Sequence, residues 1–107
     1  MNEHHIKEDI LNILRVLSST EGSSQRELSH SLGVSLGKTN YLLKSLVTRG
    51  LVEIKNFTIK NQKIRKVKYM LTGKGLEHKL QLTYYFLKRK EKEYLKLKEE
   101  LEKIPAS

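Results

Sequence analysis

The sequence predicts a mainly α-helical domain that carries one small β-hairpin and ends in a single long helix. Three observations predict this. Apolar residues recur at helical spacing up to Gly50, nearly alternate with polar residues after it, and then repeat every seventh residue before the only proline, Pro105. A chain of 107 residues can bury one compact core with an appendage, but not two independent cores.

The first helix is predicted from about Glu3 to Ser18. Its apolar residues lie at i, i+4, i+7, i+8 and i+11, which places them on one buried stripe: Ile6, Ile10, Ile13, Leu14 and Leu17. A polar cluster at 18–23 follows and is typical of a turn. We therefore expect this helix to support the elements that come after it.

Two short helices joined by a turn are predicted between Ser24 and Gly50. Ser24 and Glu27 have the spacing of a capping box, and Gly33 is suited to end the first of these helices. Ser35 offers a second N-cap. The second helix should bury Thr39, Leu42, Leu43 and Leu46 and expose the opposite face, formed by Leu36, Gly37, Asn40, Tyr41, Lys44 and Thr48.

A β-hairpin is predicted after these helices. Residues 51–57 and 67–71 are rich in β-branched and aromatic side chains, and a polar tip at 60–63 lies between them. A hairpin directly after two turn-linked helices is the arrangement of a winged helix-turn-helix. We assign residues 1–73 to this domain, with a recognition helix at 35–49 and a wing at 55–68.

The last helix, predicted at 74–104, has a coiled-coil-like seam. Its seventh-residue repeat is imperfect, because Thr83 and Lys90 occupy two of the core positions. A continuous helix of this length would extend about 45 Å, which is too long for a small domain to cover. We expect dimerisation with a second copy through Leu76, Leu80, Leu87, Tyr94, Leu97 and Leu101 and an interhelical ion pair of Glu93 with Lys98.

The positive charge is concentrated in one part of the chain. The formal net charge is +9, and six of these charges arise between residues 51 and 75. Such a patch favours an acidic partner, namely nucleic acid, an anionic membrane or an acidic protein. The basic face is therefore local to the predicted wing.

The recognition helix carries side chains that can read base edges. Asn40 can bond adenine at two atoms, Lys38 and Lys44 can reach guanine or phosphate, Tyr41 can contact phosphate, and Leu36 can meet a thymine methyl group. A glycine at position 37 would allow close approach of the backbone, although tolerated drift accounts for it about as well. A merely solvated helix face is the alternative for the whole set.

Phosphate contacts are predicted at the wing and at a helix start. Lysine and arginine on the wing suit the DNA backbone, although charge on an edge strand also prevents strand aggregation. Ser24 lies at a helix N-terminus that favours a phosphate, and a purely structural cap fits it equally well. The full predicted DNA-binding set is Ser24, Gln25, Arg26, Ser35, Leu36, Gly37, Lys38, Asn40, Tyr41, Lys44, Lys60, Lys63, Arg65 and Lys66.

The sequence offers little support for a catalytic site or a metal-binding site. The four histidines lack metal-ligand spacing, the fragment at 72–75 lacks the spacing of a phosphate loop, and no nucleophile has a recognisable base partner. We expect no enzyme activity, no cofactor and no metal. Tyr84, Tyr85 and Phe86 could line an effector pocket, but packing in the core or the dimer accounts for them better. Without cysteine, a signal pattern or an apolar run of membrane-spanning length, we expect a cytoplasmic protein with no membrane partner.

Two segments resemble the MarR family of winged-helix transcriptional regulators, and most closely a short subgroup associated with exopolysaccharide gene clusters. They are SQRELSHSLGVSLGKTNYLLKSLVTRGLVEIKNF and KYMLTGKGLEHKLQLTYYFLKRKEKEY, which together cover over half of the chain. The family pattern is matched at 34–52 and at 71–75. The chain differs from larger members in its short N-terminal arm and single C-terminal helix.

The resemblance implies a homodimer that binds a pseudo-palindromic site on double-stranded DNA and represses or activates transcription. The effector, the operator and the sign of regulation are left open. Two other functions also remain open: an adaptor that joins proteins through the same fold, and a nucleic-acid-binding protein without sequence preference.

Overall fold

The computed structural model describes residues 3–59 and 64–103, with side chains for 5–56 and 67–103. It confirms the predicted fold class, a mostly helical domain with a two-stranded hairpin and a long last helix. The elements in chain order are α1 (Glu3–Ser18), α2 (Gln25–Leu32), α3 (Leu36–Thr48), β1 (Val52–Ile59), β2 (Ile64–Leu71) and α4 (Gly73–Glu102). The predicted tip at 60–63, which includes Lys60 and Lys63, lies outside the described residues.

One hydrophobic core joins the helices to the start of the hairpin. All of the predicted α1 stripe except Ile6 is buried, and Ile6 packs against its edge. Leu11, outside that stripe, is also buried, because α1 contacts α2, β2 and α4 and therefore buries a wider face than one stripe. The remaining core residues are Leu28, Leu42, Leu43, Leu46, Leu51, Val52 and Leu82.

The two turn-linked helices have the predicted caps. The Ser24 hydroxyl accepts a hydrogen bond from the Glu27 amide at 3.1 Å, and the Ser35 hydroxyl accepts one from the Lys38 amide at 3.1 Å. Gly33 ends α2 in the left-handed conformation at φ 66°, which glycine adopts without steric cost. These local bonds set where α3 begins and which face it buries.

The wing strands are longer than predicted at the tip end. β1 and β2 pair antiparallel from Val52 opposite Leu71 to Ile59 opposite Ile64, so the ladder also includes 58–59 and 64–66, which lie between the predicted strands and the predicted tip. The turn before α2 adds a short bridge to this sheet. Ser23 and Tyr69 exchange backbone hydrogen bonds at 2.8 and 3.0 Å. These two hydrogen bonds connect the wing to the turn between α1 and α2.

Helix α4 begins where α3, β1 and β2 meet. The Thr72 hydroxyl accepts from the Gly75 amide at 2.9 Å and donates to the Gly50 carbonyl at 2.7 Å. Gly75 lies so close to the Leu51 carbonyl that a Cβ at this position would overlap it. This glycine is therefore required for packing at the start of α4.

Only the first half of α4 packs on the body. Leu82 is buried and Phe86 is partly buried against α1 and its neighbours, whereas every residue from Leu87 to Lys103 is exposed. The helix gives the molecule its elongated form, with extents of 75 × 25 × 24 Å.

Candidate nucleic-acid interface

The exposed face of α3 is the one that the sequence predicted. Leu36 is 43% exposed and Tyr41 is 63% exposed, and Gly37 and Lys44 are also exposed, while Asn40 is half-buried. The opposite side is fixed in the core, where the Thr39 hydroxyl donates to the Ser35 carbonyl at 2.8 Å. The helix therefore presents amide, ammonium, phenol and apolar groups outward from a rigid base.

Lys38 differs from the other predicted contacts on α3. Its ammonium lies 2.8 Å from a carboxylate oxygen of Asp9 on α1, and both side chains are about one-quarter to one-third exposed (33% and 23%). This ion pair ties the start of the recognition helix to the first helix. No pattern in the sequence predicts this ion pair, since the two residues are 29 positions apart in the chain.

The start of α2 lies beside the start of α3. The Gln25 side-chain amide donates to the Leu36 carbonyl at 3.2 Å. Arg26 is exposed, and Ser24 is half-buried as the cap of α2. Of the three residues that we predicted for phosphate, Gln25 therefore contacts the N-terminal end of α3 directly.

A shallow groove separates α3 from the wing. Ile54, which is 47% exposed, and Tyr69 form its wing side. These two residues are direct cross-strand partners, so their side chains lie on one face of the hairpin. The groove is lined by Asn40, Lys44, Val47, Thr48, Ile54 and Tyr69.

The wing carries basic residues in both strands. Lys55 is exposed and lies 3.8 Å from Glu53, and Lys68 is half-buried beside Gly22 in the turn before α2. Arg65 and Lys66 occupy β2 opposite Thr58 and Phe57, and their side chains are not among those described.

A contact between α3 and α4 was not anticipated. An Arg49 guanidinium nitrogen lies 3.3 Å from Nε2 of His78. Burial lowers the pKa of His78 below its ordinary value of 6.5, the Arg49 charge lowers it further, and a hydrogen bond with Gln81 acts in the opposite direction. His78 had been considered only as a metal ligand.

Metal and membrane sites are not found in the described part of the chain. Within residues 3–59 and 64–103, no group of three or more His, Cys, Asp or Glu side chains is placed to hold a metal ion. In the same ranges no helix is long and apolar enough to span a bilayer.

A profile of winged helix-turn-helix DNA-binding domains matches residues 9–53. This match covers α1 from residue 9 onward, α2, α3 and the start of β1, but not the rest of the wing. The fold of the chain is that of a winged helix-turn-helix, and residues 9–53 are similar to DNA-binding domains of this kind. A search of curated protein sequences found no match.

Solved structures of MarR regulators share this winged fold. Wild-type MarR from E. coli is 27% identical, with a TM-score of 0.57 over 68% of this chain and 52% of that one. Staphylococcus aureus MarR, solved with salicylate and kanamycin, is 23% identical, with a TM-score of 0.64 over 81% and 56%. The PcaV transcriptional regulator from Streptomyces coelicolor is 20% identical, with a TM-score of 0.63 over 75% and 57%.

The winged domain spans only part of these regulators. The chain of the present protein covers a little over half the length of each of these three regulators, from 52% to 57%. The predicted likeness to MarR regulators is thus supported for the fold. None of these matches concerns exopolysaccharide gene clusters, so the finer subgroup assignment lacks support.

Proposed function

We propose that the chain is a MarR-type transcriptional regulator that binds a specific DNA site as a homodimer. The observation that carries the proposal is α3, whose apolar side is locked in the core while Leu36, Asn40, Tyr41 and Lys44 face outward. A helix presented in this way fits the B-DNA major groove, where each base pair offers a distinct pattern of donors, acceptors and methyl groups.

In this proposal Asn40 and Lys44 are the main base readers. An asparagine amide can bond N6 and N7 of adenine, and a lysine ammonium can reach O6 or N7 of guanine. Leu36 meets a thymine methyl group and Tyr41 a phosphate. Lys38 contributes to DNA binding only by leaving Asp9, so we assign it first to holding α3 in place.

Gly37 supports the proposal because nothing in the described part of the chain packs against it in a way that requires glycine. A Cβ added at this position meets no atom within 4 Å, whereas glycine in a helix costs about 1 kcal/mol relative to alanine. Absence of a side chain at this exposed position therefore suits close approach of the helix to DNA. Replacing Gly37 with alanine should stabilise the fold and weaken DNA binding.

The wing and the start of α2 supply contacts to phosphate. Lys60, Lys63, Arg65 and Lys66 belong to the segment with most of the excess positive charge, and neutralising phosphates with such side chains releases counterions. These contacts do not read sequence, but they hold the recognition helix in register. Ser24, Gln25 and Arg26 would act on the strand at the other end of α3.

Dimerisation through α4 completes the proposal. The predicted seam residues Leu76, Leu80, Leu87, Tyr94, Leu97 and Leu101 are between 46% and 69% exposed. Burying such a stripe against a second copy removes apolar surface from water. Two recognition helices related by two-fold symmetry would then read half-sites about 34–36 Å apart, one turn of DNA.

The proposal is tested by measuring affinity for promoter duplexes and for random duplexes over a range of salt concentrations. We expect promoter DNA to bind at least a thousandfold more tightly, and we expect affinity for both to fall as salt rises. Equal affinities would leave only nonspecific backbone attraction. Failure to bind any duplex would favour an adaptor that joins proteins.

Two substitutions distinguish base-specific recognition from electrostatic attraction to phosphate. Asn40→Ala should reduce discrimination by about 1–3 kcal/mol at one base pair, while Lys63→Ala should weaken all duplexes alike and flatten the salt dependence. Ser45→Ala, an exposed change elsewhere on α3, is the control for the helix itself. Undiminished discrimination by the Asn40 variant would remove that residue from the reading face. Selection of bound duplexes from a random pool would also reveal whether the site has two-fold symmetry.

A further inference from the structure

The contacts that the seam of α4 can make differ between a parallel and an antiparallel second helix. In heptad terms, Leu80, Leu87, Tyr94 and Leu101 occupy the a positions, and Leu76, Thr83, Lys90 and Leu97 occupy the d positions. The body of the protein lies on a different side of α4, because Gly75 and Leu82, at c positions, are buried against it. The seam is therefore open to a partner along its whole length.

A parallel pairing in register would place each d residue against its own copy. Two Lys90 ammonium groups would then meet in the centre of the seam, and two Thr83 hydroxyls would meet one heptad earlier. Like charges placed together destabilise an interface. Among the flanking residues only Glu93 and Lys98 would form an opposite-charge pair.

An antiparallel pairing places a residues against d residues. Leu80 then faces Leu97 of the second copy, and Leu101 faces Leu76 of the second copy. By symmetry these contacts form four leucine layers, two at each end. Lys90 packs against Leu87 of the second copy, where its methylene chain covers apolar surface and its ammonium reaches water.

The flanking charges favour this register. At the e positions Glu77 faces Lys98 of the second copy. At the g positions Lys79, whose ammonium donates to the Ser18 hydroxyl at 3.0 Å within one copy, lies on the side of Glu100 of the second copy. Each pair occurs twice in a symmetric dimer. Sliding one helix by a heptad in either direction instead brings Glu91 opposite Glu91 or opposite Glu77 of the second copy, so the charges select one register.

We infer that α4 pairs with a second copy of this chain as an antiparallel two-stranded coiled coil with Leu80 against Leu97. The inference rests on the proposed homodimer and adds its direction and register. The part of α4 that packs on the winged domain runs from Gly75 to Phe86. In an antiparallel pair, the winged domains of the two copies would therefore lie about 24 Å apart, measured between their centres along the helix axis. Parallel pairing would put them side by side, with no separation along that axis.

Disulfide trapping tests the direction. The chain has no cysteine, so every disulfide in Leu80→Cys and Leu97→Cys variants must come from the introduced thiols. When the two variants are mixed at equal concentration and oxidised, we expect a cross-linked heterodimer with the bond between positions 80 and 97. Neither variant alone should cross-link, because the two copies of either position lie about 25 Å apart in the antiparallel register.

Leu95→Cys is the matched control, since Leu95 is 55% exposed on the same helix but lies outside the seam. It should not cross-link with either variant. Rapid cross-linking of each single variant with itself would establish parallel pairing and overturn the inference. A monomer by light scattering, with no cross-link in any mixture, would overturn it as well.

Charge exchange provides a second, independent measurement on the full chain. Glu77→Lys should weaken the dimer roughly tenfold, because two attractive pairs become repulsive, and adding Lys98→Glu should restore the affinity. Purely additive effects of the two changes would contradict the register. DNA binding is measured on the same preparations. Loss of sequence preference with an intact antiparallel dimer would count against the proposed regulator while supporting the direction of the helices.

Discussion

The helix-turn-helix at residues 24–50 and the second half of α4 expose opposite kinds of surface. In the first, four leucines (Leu28, Leu42, Leu43 and Leu46) are buried and the outward face is mostly polar, and both helices have serine caps within the chain. In the second, leucines and a tyrosine remain exposed and nothing in the described part of the chain covers them. The first region is complete within one copy, whereas the second leaves its apolar stripe exposed in one copy.

Removal of one leucine from each region should show this difference most strongly. Leu43 is fully buried in α3, so Leu43→Ala should lower the free energy of unfolding by about 2–5 kcal/mol. Leu97 is 64% exposed, so Leu97→Ala should change monomer stability by no more than about 0.5 kcal/mol but weaken self-association. Urea denaturation and sedimentation velocity measure the two effects. An equal loss of stability in both variants would contradict the conclusion that Leu43 is part of the core and Leu97 is not.

The junction between the two regions should also be sensitive to one added methyl group. Gly75→Ala places a Cβ against the Leu51 carbonyl and 2.7 Å from Cδ1 of Leu71, so we expect a loss of about 1–3 kcal/mol. Gly73→Ala is the matched control, because a Cβ there meets nothing within 4 Å. Thermal unfolding of the two variants measures the difference. Equal melting temperatures would show that the backbone at position 75 can move aside.

The sequence reveals more of the first region than of the junction. Caps, glycine ends and helical periodicity are local signals, and they placed Ser24, Gly33 and Ser35 correctly. The contact of Gly75 with Leu51, the bridge between Ser23 and Tyr69, and the ion pair of Asp9 with Lys38 join distant segments. They depend on how whole elements pack, which no local pattern encodes.

The candidate site divides in the same way. Periodicity was sufficient to separate the outward face of α3 from its buried face, since a helix has a fixed repeat. It could not show that Lys38 is paired with Asp9, or that Ile54 and Tyr69 form one side of a groove beside Asn40. The proposed partner of α4 is a further limit, because one copy holds the exposed seam and no residues that would cover it.

The N-terminal caps of α3 and α4 should differ in strength. Ser35→Ala removes one capping bond and should cost about 1 kcal/mol. Thr72→Ala removes both the cap of α4 and the bond to the Gly50 carbonyl, so its cost should approach about 2 kcal/mol. The shift of the urea midpoint, with an unchanged dependence of the unfolding free energy on urea concentration, measures each loss of stability. A larger effect at Ser35 would mean that the Thr72 bond to Gly50 contributes little.

The smallest expected effect is a dependence on pH at the contact between Arg49 and His78. Because burial and the Arg49 charge lower the pKa of His78 in the folded state, the unfolded chain binds more protons as the pH falls below 6.5. His78 therefore contributes a loss of stability as the pH drops from 6.5 toward its lower folded pKa, and no change with pH above this range. Urea titrations at pH 7.5 and pH 5.5 should show a smaller difference for His78→Gln than for the parent. His30→Gln, an exposed change on α2, should leave the difference as in the parent. If the two variants respond alike, the contact between α3 and α4 does not couple folding to protonation.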